Sequence, residues 1–227
     1  MKDMKKLLII TAIVVAAIVI AGASLFFFGK KGIPADSAGA PKDTGRPPME
    51  QTASKETGGN PSYVGDDFTF IPPTGWIQVR LPGTLVSYQN PAEIHPKGSP
   101  ADKINFKSYI AVSFDNANGQ TLDAVVDLVK RQTQSVVPAI VFTSINDGMV
   151  GGQPAKFLEA DLLMQDVDFK VMVAVVLKGD KYFTISYNTT AEKWPEYRDM
   201  FYNVAASFKF KNDPSAPASS GYLKGEQ

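Results

Sequence analysis

The chain contains no cysteine and a single histidine, His95. Without a thiol it forms no disulfide, no thiolate metal site, no cysteine nucleophile and no lipidated cysteine anchor. One histidine leaves no His-rich zinc site and limits any Ser-His-Asp triad to one candidate. An excess of one charge is missing too, because Lys+Arg and Asp+Glu each number 23. That balance gives no reason to expect nucleic acid or an anionic polymer as partner. The glycine loops G-x-x-x-x-G-K-[ST] and G-x-G-x-x-G do not occur, nor does G-x-S-x-G. Phosphate cradling and a nucleophile elbow therefore have no support.

What is present is one long apolar run. Leu7 to Phe28 reads LLIITAIVVAAIVIAGASLFFF, 22 residues without a charge. As a helix it reaches about 33 Å, against a hydrocarbon core of about 30 Å. Ala21-Gly22-Ala23 fits a signal-peptide cleavage pattern, but Leu25 to Phe28 carry the run on past that point. The run also exceeds the roughly 7–15 residues of a signal h-region. We read 7–28 as an uncleaved transmembrane anchor bounded by Leu7 and Phe28, and 1–6 as a short cytoplasmic tail. Lys2, Lys5, Lys6 and the α-amine face Asp3 on one side; Lys30 and Lys31 lie on the other. The narrow positive bias places the N-terminus in the cytoplasm and everything after the anchor outside it.

Residues 29–62 are rich in Gly, Pro, Ser, Thr and Ala and lack aromatics. Such composition cannot bury enough apolar surface to offset ordering entropy, so it is expected to be a disordered tether. Its r.m.s. reach is roughly 30–35 Å. Residues 212–227 share this character and are read as a tail; Tyr222 and Leu223 are their only large apolar side chains.

Residues 63–211 form one expected domain, large enough for a real core. Phe68–Ile71 alternates and is stopped by Pro72-Pro73; Gly75 permits a turn that sends Trp76 inward. Ile77–Val79, Leu85–Tyr88 and Tyr109–Phe114 are further strand candidates, separated by a polar loop over 89–107 that holds His95. Leu122, Val125, Val126, Val129, Thr133 and Val136 recur at helical spacing behind an N-cap Thr121. Four strand-like runs follow: Val141–Ile145, Ala155–Met164, Phe169–Leu177 and Tyr182–Asn188. Asn146-Asp147-Gly148, Gly151-Gly152, Gln165–Asp168 and Lys178–Lys181 read as their turns. The apolar run Val171–Leu177 suits a central strand covered on both faces. A second helix is expected from Thr189 to Ala206, with Trp194, Tyr197, Phe201, Val204 and Phe208 on one side. Together these elements imply an α+β fold, an α/β/α sandwich with a central, mostly antiparallel sheet. The expected core is Phe70, Trp76, Val125, Val129, Val173, Val175, Trp194, Phe201 and Phe208.

FTFIPPTGWIQV near the domain start resembles the opening strand and turn of PsbP-like domains. The 122–136 helix, the turn GGQPA, the hairpin at Gly179 and the closing YFTISYNTTAEKWPEYRDMFYNVAASFKF follow that family's order. The resemblance implies the sandwich fold and action by binding. It carries no catalytic motif, and the missing lipid-attachment cysteine is replaced here by the membrane helix.

Other candidate chemistry reads as structure. His95, in a Pro-rich loop, is expected to be a solvated or turn histidine. Asp115–Gly119 departs from the calcium-loop pattern, with Phe114 at loop position one and Val125 at twelve. Asn188-Thr189-Thr190 matches a glycosylation sequon but is better explained as a helix cap. Trp76 and Trp194 are expected in the core and not on a ligand platform. No catalytic residue, cofactor, nucleic acid or metal is expected. The expected role is a membrane-tethered, non-enzymatic binding or assembly module of the cell envelope, its partner an unspecified membrane or envelope protein. Two other readings stay open: a small-ligand or lipid carrier with a pocket between sheet and helix, and a hydrolase built on acids and His95.

Overall fold

The computed structural model describes residues 62–211. The short tail expected at 1–6, the anchor at 7–28, the tether up to residue 61 and the tail at 212–227 lie outside the described residues. Among the described residues no helix is long and apolar enough to cross a membrane.

In chain order the strands are β1 (Tyr63–Val64), β2 (Phe68–Phe70), β3 (Ile77–Val79), β4 (Val86–Gln89) and β5 (Tyr109–Asn116). They continue as β6 (Val141–Val150), β7 (Gln153–Met164), β8 (Val167–Lys178), β9 (Lys181–Thr190) and β10 (Lys209–Phe210). The helices are α1 (Pro100–Lys103), α2 (Leu122–Val136) and α3 (Trp194–Ala206). Seven strands form one sheet in the order β3-β4-β5-β9-β8-β7-β6, and β1-β2-β10 form a second of three. Every pairing is antiparallel.

Local chemistry explains the hairpins. Gly151 and Gly152 join β6 to β7 with φ of 57° and 77°. Gln165 and Asp166 join β7 to β8 with φ of 52° and 59°. Two consecutive positive φ values match the right-handed twist of the strands they connect. Asn146-Asp147-Gly148 is not a turn, contrary to the sequence expectation. These residues continue β6 and pair with Phe157, Lys156 and Ala155. Gly148 serves close approach instead: a Cβ there would lie 2.5 Å from the Phe157 ring.

The second helix starts later than its sequence suggests. Thr189 and Thr190 are buried and end β9, and α3 begins at Trp194, with Pro195 in its first turn. Thr190 Oγ1 accepts the Lys193 N–H at 3.3 Å, just ahead of the helix, while the N-cap residue Lys193 makes no side-chain cap bond. α2 starts as its sequence indicates, with Thr121 accepting the Ala124 N–H at 3.3 Å.

Strand β8 organises the core. Met172, Ala174 and Val176 pack with Phe201, Val204 and Phe208, on the side that also carries Phe68, Phe70 and Phe210 of the small sheet. Val171, Val173 and Val175 pack with Val125, Val126 and Val129 of α2 on the other side. The large sheet is thus covered by a helix on each face. Phe70, Trp76, Val125, Val129, Val173, Val175, Phe201 and Phe208 are buried, and Trp194 is half-buried against the α3 cluster.

Phe201 is fully buried and meets the rings of Trp76, Tyr187, Trp194 and Tyr197 at centroid distances of 4.9 to 6.3 Å. Replacing it with Ala is expected to cost about 3–5 kcal/mol, through lost transfer energy and the cavity left behind. Leu163 is 62% exposed, and Leu163→Ala is expected to change stability by less than about 0.5 kcal/mol. Urea unfolding of both variants checks the contrast.

Candidate functional site

The loop between β4 and β5 holds the one histidine, and the structure corrects its expected place. His95 is not solvated. Its side chain is 3% exposed, beside a Glu93 side chain that is 0% exposed. Burial alternates along the loop, with Ile94 exposed between the two. Both turn inward.

Glu93 sits at the centre of a polar cluster drawn from three segments. Its Oε2 accepts the Ser108 N–H at 3.0 Å and the Tyr197 hydroxyl at 3.3 Å. Asn90 Nδ2 donates to that same hydroxyl at 2.8 Å. Lys107 donates its ammonium to the Glu93 carbonyl. Ser108 Oγ donates to Thr189 Oγ1 on β9 at 2.7 Å. His95 Nε2 lies 3.0 Å from Glu93 Oε1 and 3.1 Å from the Phe106 carbonyl. Both neighbours are acceptors, so Nε2 carries the proton. One proton serves one aligned bond. Phe106 receives it, and Glu93 Oε1, which has no aligned donor, is held to the ring by electrostatic contact.

Burial and charge act on Tyr197 together. Its phenol is pushed up to about 12, first by burial and next by the negative charge of Glu93, with the Asn90 bond opposing. Lys193, at the start of α3, is raised by its hydrogen bond to Glu196, with burial opposing and Glu93 adding a smaller charge effect.

The arrangement is a clasp. It ties the 90–108 loop to β9 through Thr189 and to α3 through Tyr197. A hydrolase reading needs a cleft joining His95 to an acid, and the structure supplies the acid without the cleft. The pair is closed to solvent, and His95 Nε2 and Glu93 Oε2 are bonded within the fold. Other candidates fall elsewhere. Asn188 is 3% exposed and donates to Ser186 Oγ at 2.8 Å, so the folded domain does not offer the sequon to a glycosyl donor. Trp76 packs on Tyr197 and Phe201, and Trp194 on Phe201, so neither forms an open platform. Among the described residues no group of three or more His, Cys, Asp or Glu can hold a metal ion. Sequence reasoning missed Glu93, Tyr197 and Asn90. The available signal was the Glu93-x-His95 spacing between Pro91 and Pro96.

Tyr197 gives a pH test. Its folded value is raised above the ordinary 10.0, so the stability it contributes is present below about pH 10 and lost as pH rises through about 12. Tyr197→Phe cannot ionise. Its stability is expected to fall less steeply than the parent's across that window, and parallel curves in denaturant titrations would refute the assignment.

Comparison with known proteins agrees with this architecture. The PsbP family description matches residues 61–210. The solution structure of cyanobacterial PsbP (CyanoP) from Synechocystis sp. PCC 6803 is similar, with a TM-score of 0.54 at 19% identity, covering 72% of this chain and 99% of that one. LpqN, described as involved in cell envelope biogenesis of Mycobacterium tuberculosis, aligns with a TM-score of 0.48 at 11% identity, over 63% of this chain and 82% of its own. No curated protein matches the sequence. With a central antiparallel sheet, a helix on each face and the family match running through the whole described domain, the chain belongs to the PsbP family.

Proposed function

We propose that this protein is a membrane-tethered, non-enzymatic binding module of the cell envelope, with its PsbP domain outside the cytoplasm. The observation that carries the non-enzymatic part is the sealed Glu93–His95 pair. The only imidazole in the chain is committed to holding a loop. The uncharged run from Leu7 to Phe28 supports the tether, and family membership supports action by contact. Through such contact the domain would help assemble or stabilise another membrane or envelope protein.

One feature favours a second reading, a small-ligand carrier. On the α2 side of the sheet, Tyr109 packs in the core with its hydroxyl lacking a hydrogen-bond partner, and the buried Gln132 of α2 has the same lack at Oε1. Buried polar atoms left unpaired invite a water or a polar ligand. Native mass spectrometry of the full chain separates the two: a retained small molecule lost in Tyr109→Phe favours the carrier.

Location is tested directly because the chain has no cysteine of its own. In the full chain with Ser215→Cys, a membrane-impermeant maleimide is expected to label intact cells. Labelling only after lysis would overturn the extracytoplasmic placement.

A further inference from the structure

The turn between β5 and α2 carries the only Asn-Gly pair in the chain, Asn118-Gly119. This is the segment that departs from the calcium-loop pattern, and its chemistry lies elsewhere. Ala117 opens the turn, buried, with its N–H bonded to the Asp180 carbonyl at 2.7 Å. The Gln120 N–H returns to the Ala117 carbonyl at 2.9 Å, and Asn118 and Gly119 between them have φ of 50° and 71°. Positive φ at both central positions is the turn that Asn-Gly suits. Its flanks are tacked down while Asn118 and Gly119 are exposed. Two features single out the peptide between them. The Gly119 N–H has no hydrogen-bond partner among the described residues. Nothing lies within 4 Å of the place where a Cβ on Gly119 would stand. The Asn118 carboxamide folds back over the turn, with Nδ2 donating to the Asn116 carbonyl at 3.3 Å. An unspent backbone amide, shielded by no side chain, thus sits beside a carboxamide carbon in water.

We propose that Asn118-Gly119 is a site of spontaneous deamidation, a slow covalent modification that marks the age of the folded chain. Asparagine is among the thermally labile side chains, and the surroundings decide which one reacts. The Gly119 nitrogen attacks Cγ of Asn118. A bond forms between them, the Cγ–Nδ2 bond breaks, and the displaced nitrogen leaves as ammonia, the proton lost from Gly119 completing it. The product is a succinimide ring, which water then opens. Addition at Cγ breaks the new bond and leaves an aspartyl residue. Addition at the Asn118 main-chain carbonyl breaks the original peptide bond and leaves an isoaspartyl link. Water is the only co-reactant. Either product adds a negative charge just ahead of α2, which a helix N-terminus tolerates well. The isoaspartyl link also runs the main chain through an extra carbon. A turn closed by the Ala117–Gln120 bond has no place for it, so this product loosens the Ala117 tack to Asp180. The fold carries its own controls. Asn116 is exposed in the same turn, but the next residue, Ala117, has a methyl group and a bonded N–H. Asn146 in β6 and Asn203 in α3 are exposed within regular backbone.

The test incubates the folded full chain in warm, mildly alkaline buffer and maps its peptides by mass spectrometry, with isoaspartyl methyltransferase labelling to separate the two products. Aspartyl and isoaspartyl forms are expected at position 118, at a rate at least about tenfold above Asn116, Asn146 or Asn203, a barrier difference of about 1.4 kcal/mol. The rate should rise in proportion to hydroxide, because the nucleophile is the Gly119 amide after loss of its proton. Asn118→Gln, which would have to close a larger ring, should suppress the mass change at this position. Hydrogen exchange at Ala117 should quicken in the isoaspartyl fraction and not in the aspartyl one. Equal rates at these asparagines would overturn the site, as would a rate indifferent to hydroxide. Modification at 118 only after unfolding in denaturant would show that the turn protects this bond, which overturns the proposal too, and so would no product in either state.

Discussion

Strand β8 is apolar on both faces, and no arrangement that leaves either face in water is stable. That requirement dictates the layers. One face calls for the valine stripe of α2, the other for the aromatic and aliphatic face of α3 with the small sheet beside it. The antiparallel neighbours β7 and β9 follow from the tight turns on either side of β8. β9 meets burial differently, because Thr184, Ser186 and Asn188 alternate with its apolar residues. Their polar atoms satisfy one another and Ser113, with Thr184 and Asn188 bonded at 2.7 and 2.8 Å. These strand hydroxyls and the Asn188 amide are thus bonded within the fold, while the Tyr187 hydroxyl of the same strand is buried without a partner.

α3 is held by two kinds of force. Along its length it is gripped by rings, with Tyr187 and Trp76 around Phe201, and just past its end Phe208 stacks on Phe70 at 4.8 Å and 8°. At its first turn it is held by the Tyr197 hydroxyl, which reaches a carboxylate on a loop far away in sequence. A buried carboxylate is costly unless its lone pairs are matched by donors. Glu93 draws those donors from a backbone amide and from α3, with the imidazole ring close by. The loop and the helix therefore stand or fall together, though neither packs extensively on the other in the manner of the main core.

How much of this was legible in the sequence follows from which interactions are local. The α2 stripe, its Thr121 cap and the Gly151-Gly152 turn each lie within a few residues, and the reading placed them. Gly148 misled, since Asn-Asp-Gly has turn chemistry and only the ring of Phe157 on the neighbouring strand explains a glycine inside β6. Thr189 and Thr190 resembled a helix start, yet their pairing with β8 keeps them in the sheet. β1 and β10 are two residues each, too short for any period to show. The clasp was invisible for the same reason at longer range: Tyr197 and Glu93 are 104 positions apart, and loop composition alone said solvent.

The small sheet has a mechanical consequence. β1 joins β2 through two residue pairs, Tyr63 with Phe70 and Val64 with Thr69. A pull arriving from the N-terminal side meets this short hairpin at its open end, where bonds break one after another. The long ladders of β7, β8 and β9 share a load over ten pairs at each junction. Such a pull is therefore met first by peeling Tyr63 from Phe68 and Phe70, while the seven-stranded body keeps its shape. The first strand behaves as a fuse, yielding slack before the folded body is strained.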